Sequence, residues 1–101
     1  MTPKSKPQVE LGQIAHDDLK RLRGVDQRRI IRAIDELEVE PRPAKSKRLE
    51  DVSAQVEVRR LRLDPWRIIY LIIDEQPLVL AIRRRPPYDY TDIDALIESE
   101  G

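Results

Sequence analysis

The chain has 101 residues, 40% of them hydrophobic, which suits one small domain with a modest core. Only 4% is aromatic and Phe is absent, so that core is aliphatic; Cys is absent too, which excludes disulfides, thiolate nucleophiles and cysteine-bound metal. Nineteen Lys and Arg balance nineteen Asp and Glu, a total that argues against a general nucleic-acid binder; no run has the length of a membrane span and the N-terminus lacks an apolar signal region, so the expected address is the cytoplasm, away from any membrane.

Met1 to Pro7 is polar and Pro-rich and reads as a loose leader, with a single domain expected over residues 8–101. Val9 to Leu11 suits a short first strand. Gln13 to Arg23 reads as a helix with Ile14, Ala15, Leu19 and Leu22 at core spacing, capped at its C-terminus by Gly24. Asp26 is the expected N-cap of a second helix running to about Val39, whose apolar face is Ile30, Ile31, Ala33, Ile34 and Leu37. The two helices are expected to form an antiparallel hairpin. Pro41-Arg42-Pro43 stops the second helix, and Ala44 to Asp51 reads as a basic loop.

A meander follows. Its first strand spans roughly Gln55 to Leu63, where Val56 and Val58 share one parity and Leu61 and Leu63 the other; that switch suggests a β-bulge near Arg59-Arg60. Asp64-Pro65 is a hairpin turn. Trp66 to Ile73 is apolar on both parities except at Arg67, as in a central strand buried on both faces. Asp74 to Pro77 is the next turn and Leu78 to Ile82 the last strand. Thr91, with Asp94 three residues on, is expected to cap a short C-terminal helix whose sticky face is Ile93, Leu96 and Ile97. The fold class is therefore α+β: an N-terminal helical hairpin packed on a small antiparallel β-meander, with a short C-terminal helix.

Charge is placed unevenly along this frame. Between Arg42 and Arg67 stand Arg42, Lys45, Lys47, Arg48, Arg59, Arg60, Arg62 and Arg67 against Glu50, Asp51, Glu57 and Asp64, whereas from Asp89 onward every charged side chain is acidic. Arg60, Arg62 and Arg67 flank one hairpin turn and alternate with apolar residues, so one strand face can bury while the other shows cationic donors suited to phosphate or carboxylate. Arg83-Arg84-Arg85 follows one strand later. Like charges on paired strands repel unless a partner supplies anions, which is why these arginines point to a ligand. Lys45, Lys47 and Arg48 lie where they could close over the same anion.

Other chemistries find little support. His16, the sole histidine, sits on a charged helix beside Asp17 and Asp18 and reads as a solvated residue, well short of the four ligands that zinc needs. Most carboxylates fall on helix faces beside cations. With three glycines there is no phosphate-binding Gly-rich loop, and no serine has a nucleophile's setting.

The residues also resemble a known family. Val9-Glu10-Leu11 followed by Ala15 and Asp18-Leu19, then Arg60-Leu61-Arg62-Leu63 leading to Trp66-Arg67-Ile68-Ile69-Tyr70, then Leu80-Ala81-Ile82 ending in Arg83-Arg84-Arg85 and Tyr88, resemble the RelE/ParE superfamily of bacterial toxins over about residues 8 to 98. The resemblance implies the toxin of a type II toxin-antitoxin module, bound by a cognate antitoxin, in some cases as a hetero-oligomer. RelE-like members are ribosome-dependent endoribonucleases that cut mRNA; ParE-like members share the fold but poison DNA gyrase. On the RelE-like branch, Arg67 and Arg85 match the positions that hold the scissile phosphate. Arg60 and Arg62 match the cationic strand beside it, and Tyr88 or Tyr90 stands for the C-terminal tyrosine that stacks on a base or assists proton transfer. Here Pro86-Pro87 alters the family's spacing to that tyrosine, Arg83-Arg84 replaces its usual Gly-containing pair, and Asp64-Pro65 replaces its hairpin glycine.

Such a site would use the RNA's own 2′-hydroxyl as nucleophile while the protein aligns it and stabilises charge on the phosphorane. Arginine forks suit that role and are poor bases; Lys45 or Lys47 could move a proton if neighbouring cations lowered its pKa. No metal or cofactor is called for. A gyrase blocker, or a decayed homologue whose arginines only grip acidic antitoxin residues, is the competing expectation. Apolar edges of the helical hairpin and of the C-terminal helix are the expected antitoxin docking surfaces.

Overall fold

The structure, a computed structural model, describes residues 9–49 and 56–84 together with positions 95 and 97. The elements are β1 (Glu10–Leu11), α1 (Gln13–Arg21), α2 (Gly24–Val39), β2 (Ser46–Arg48), β3 (Glu57–Leu63), β4 (Trp66–Ile73) and β5 (Gln76–Arg84). They build one five-stranded sheet in the order β1-β5-β4-β3-β2, antiparallel throughout except where β1 runs parallel to β5. The α+β class is as expected, with the meander widened by a strand at each edge. No helix among the described residues is long and apolar enough to cross a membrane.

β4 lies at the centre of the sheet, and Trp66 through Ile72 are all buried. Strand alternation divides them between two cores. Trp66, Ile68, Tyr70 and Ile72 join Leu61, Val79 and Ile82 beneath Ala15, Ile30, Ala33, Ile34 and Leu37 of the two helices. Ile69 and Leu71 face the other way, with Val58, Leu80 and Ala81, and partly buried Leu49, Val56, Leu78 and Ile97 pack there. The parity switch in β3 is explained by these two cores: Val58 feeds one and Leu61 the other. The ladder between β3 and β4 runs unbroken from Glu57↔Ile72 to Leu63↔Trp66, so the bulge expected near Arg59-Arg60 is absent. The irregularity is instead in β5, where Ile69 pairs with Ala81 and Tyr70 with Val79, leaving Leu80 as the extra residue.

Several other boundaries differ from expectation. The segment read as a basic loop contains β2, paired through Ser46↔Leu61, Lys47↔Arg60 and Arg48↔Arg59; three polar residues carry no apolar alternation to reveal it. α1 ends at Arg21, and Gly24, at φ +56°, opens α2 instead of capping α1. Asp26 lies inside the first turn of α2, where its charge opposes the positive end of the helix dipole. The last carbonyls of α1 are closed from α2: Gln27 Nε2 donates to Leu19 O at 3.1 Å and to Leu22 O at 3.2 Å. Ile14 and Ile31, assigned to the helical core by spacing, are 38% and 42% exposed. Thr91 and Asp94 lie outside the described residues, as do Met1 to Pro7; Ala95 and Ile97 are helical.

Side chains close both ends of this frame. Where β1 stops, Gly12 N donates to Val79 O at 2.8 Å, and beyond it Asp18 Oδ2 of α1 accepts the Ile82 N–H of β5 at 3.0 Å, satisfying a donor on an edge with no strand beside it among the described residues. At one end of the meander the guanidinium of Arg42 bridges Glu57 (2.8 and 2.9 Å) and Glu75 (2.8 and 3.1 Å), and Arg59 joins Glu57 at 2.8 Å. Asp74 and Glu75 form the β4–β5 turn with φ of 53° and 65°, a conformation that favours Asn-Gly; the Arg42–Glu75 pair holds Glu75 in it. Tyr70 donates its hydroxyl to Pro41 O at 2.6 Å from within the core, and burial raises its pKa.

Arg42 first, then Arg59, hold the Glu57 carboxyl down at about 2, below its ordinary 4.5 and against partial desolvation. A depressed carboxyl contributes stability that is fully present above its unfolded pKa and is lost as pH falls toward the folded one. Urea midpoints should therefore drop between about pH 4.5 and 2, and Glu57→Gln, measured over the same window, should flatten that drop while lowering stability at neutral pH.

Candidate functional site

The face of the sheet opposite the helices carries a row of arginines set by register. Arg62 of β3 pairs directly with Arg67 of β4, and Arg67 with Arg83 of β5; directly paired residues point to the same face. One row further along β3, Arg60 lies opposite Ile69 on one side and Lys47 of β2 on the other. The extra residue at Leu80 matters here. Below it Val79 faces the helices, above it Ile82 and Arg84 do, so the bulge leaves Arg83, not Arg84, beside Arg67.

The row differs in exposure. The Arg62 side chain is 61% exposed and that of Arg67 only 10%. Arg60 Nε is buried without a hydrogen-bond partner among the described residues, which is unusual for a charged donor. Arg62 and Arg67 meet over the Asp64-Pro65 turn. Asp64 Oδ2 accepts from Arg62 Nε at 3.2 Å and Nη2 at 3.1 Å, and its Oδ1 accepts from Arg67 Nη1 at 2.9 Å. Arg67 Nη1 also donates to Trp66 O, and Arg29 Nη2 of α2 donates to the Asp64 carbonyl, both at 2.9 Å. Arg62 first and Arg67 second hold the Asp64 carboxyl below the usual carboxylate range. Beside the turn, Arg29, Lys45, Arg62, Leu63 and Asp64 line a cavity of about 390 Å³.

Of the residues singled out from sequence, the structure brings Arg60, Arg62, Arg67, Arg83 and Lys47 to one face and sets Lys45 at its rim. It removes two. Arg48 pairs with Arg59, one residue out of step with Lys47, and therefore faces the helical side; the polarity of its neighbours gave no sign of a strand. Arg84 lies over the Trp66 ring at 5.3 Å on that same side. Arg85, Tyr88 and Tyr90 lie outside the described residues. Sequence reasoning missed Asp64 as more than a turn residue. The available signal was an acid two residues after one arginine and three before another across a tight turn. Among the described residues, no group of three or more His, Asp or Glu stands close enough to hold a metal.

A family model described as the ParE toxin of the parDE type II toxin-antitoxin system matches residues 9–86. The chain belongs to that toxin family. The toxin's fold is similar to that of RelE in the archaeal RelE–RelB complex from Pyrococcus horikoshii, at 25% identity and TM-score 0.69, covering 82% of this chain and 99% of that one. It is similar also to a chain of the RelBE2 toxin-antitoxin complex from Mycobacterium tuberculosis, at 23% identity and TM-score 0.66 over 79% and 99% of the two chains. The isolated E. coli RelE toxin matches at 16% identity and TM-score 0.65 over 90% and 98%. Among curated proteins no sequence matches the toxin. The expected RelE/ParE membership and α+β architecture thus hold.

A titration of Asp64 reads the electrostatics of the arginine row directly. Its carboxyl, followed by carbon NMR, should titrate below the ordinary Asp value in the wild-type toxin, and move up in Arg62→Gln more than in Arg67→Gln, the order of the two contributions.

Proposed function

We propose that this toxin inhibits translation by cutting mRNA on the ribosome, as a metal-independent endoribonuclease held in check in the cytoplasm by a cognate antitoxin. The observation that carries the reading is the alignment of Arg62, Arg67 and Arg83 across three strands on one face, with Arg60 and Lys47 in the adjoining row. Three guanidinium groups at strand spacing match successive oxygens of a phosphate backbone better than a lone anion. In this scheme Arg67, rigidly seated, and Arg85 hold the scissile phosphate; Arg60, Arg62 and Arg83 neutralise its neighbours; and Tyr88 or Tyr90 stacks on a base. The charge that grows on the phosphorane is what these donors stabilise. Lys45 at the rim, or Lys47 in the adjoining row, is the proposed proton carrier. The antitoxin reading is supported by the RelE neighbours, which occur in complexes with their antitoxins, and exposed Ile14 and Ile31 on the helices offer it apolar contacts.

A second reading has its own support. The matching family model is that of ParE, and Asp64 already neutralises part of the row. In that case the toxin blocks gyrase and its arginines grip protein.

The experiment is primer extension on programmed ribosomes with the purified toxin. Cleavage should fall about 10²–10³-fold in Arg67→Ala, the usual consequence of losing one donor to a developing oxyanion. Intact mRNA with folded toxin, together with loss of gyrase supercoiling activity, would assign the second reading instead.

A further inference from the structure

Asp64 occupies the donors that a phosphate would use. It presents both carboxylate oxygens to the row, one to Arg62 and one to Arg67, in the two-oxygen manner of a phosphodiester. Arg29 fixes the backbone of its turn through the Asp64 carbonyl, so the carboxylate is tethered beside the row. The side chain nonetheless remains 46% exposed, and the cavity of about 390 Å³ next to it gives it room to swing away.

We propose that Asp64 is a built-in counter-anion that makes the row selective for a phosphodiester chain over free anions. This rests on the phosphate-handling reading above. A tethered carboxylate acts at a high effective concentration, in the millimolar range or above, so a single inorganic phosphate does not displace it from Arg62 and Arg67. A chain that also engages Lys47 and Arg60 on the same face gains contacts beyond the two arginines that Asp64 holds, and so expels it. Removal of Asp64 therefore increases affinity for RNA and reduces selectivity at the same time. A purely organising role predicts the reverse, because arginines left to repel one another would splay.

The test is fluorescence anisotropy of a labelled single-stranded 2′-O-methyl oligoribonucleotide, which cannot be cleaved, with inorganic phosphate as competitor. Asp64→Asn should bind the oligonucleotide about five- to tenfold more tightly, the effect of deleting one unit charge near a phosphate at the surface, with a salt slope steeper by about 0.7. Millimolar phosphate should compete in Asp64→Asn and not in wild type. Unchanged or weaker binding by the folded variant overturns the proposal. On the wild-type toxin, the Asp64 carboxyl carbon resonance should shift on adding oligonucleotide; an unmoved resonance on a bound complex overturns it as well, whether or not the variant folds. If wild-type binding is indifferent to Arg67→Ala, the phosphate reading itself has failed, a result distinct from either of these.

Discussion

Burial of β4 on both faces is the constraint from which the rest follows. From Trp66 to Ile72 no residue is exposed, and the only charged one is Arg67. A strand of this kind must be central, must have a sheet neighbour on each side and must find a cover for each face. β3 and β5 supply the neighbours, α1 and α2 cover one face, and Leu49, Val56, Leu78 and Ile97 pack against the other. Arg67 is then committed. Alternation points it away from the helices, and its low exposure fixes it far more firmly than Arg62 beside it. Its Nη1 donates to the Asp64 carboxylate and to the Trp66 carbonyl, so this nearly buried charge is paired.

The two ends of the meander use charge differently. At the Asp74-Glu75 end, cations and anions alternate: Arg42 lies between Glu57 and Glu75, and Arg59 backs Glu57. Such a network is structural, joining the segment after α2 to β3 and to the next turn. At the Asp64-Pro65 end, Arg62 and Arg67 share one carboxylate, that of Asp64, and Arg83 stands beside Arg67 in register. The proposed site is drawn from that row of guanidinium groups, which spans three strands on one face. The RelE neighbours share the frame at identities too low to carry the chemistry with it, so the functional reading rests on the alignment of the arginines.

Much of this was legible in the sequence, for identifiable reasons. Long apolar runs and helical periodicity fixed α2 and β4 because hydrophobic spacing is a strong signal in both. β2 was missed because Ser46-Lys47-Arg48 has no apolar alternation and is held by backbone pairing to β3 and by the Ser46 hydroxyl, which accepts from Arg59 Nε; such hydrogen bonds leave no trace in hydrophobic pattern. The bulge was assigned to β3 when it lies in β5, since a change of apolar parity can mean either an inserted residue or a strand buried on both sides, and only the register distinguishes them. That one displacement had consequences for the site. It decides that Arg83 joins the row while Arg84 turns to Trp66, a distinction invisible in the string Arg83-Arg84-Arg85. Asp64 was legible only as a turn former; its double role depends on where two strands bring Arg62 and Arg67.

Those two neighbours, identical in chemistry and opposite in facing, give the sharpest measurement: mRNA cleavage on programmed ribosomes by Arg83→Ala beside Arg84→Ala. A large loss in Arg83→Ala, with activity retained in a folded Arg84→Ala, is the result expected of a cationic face that handles the phosphate backbone. Equal losses in both, or a loss confined to Arg84→Ala, would contradict it.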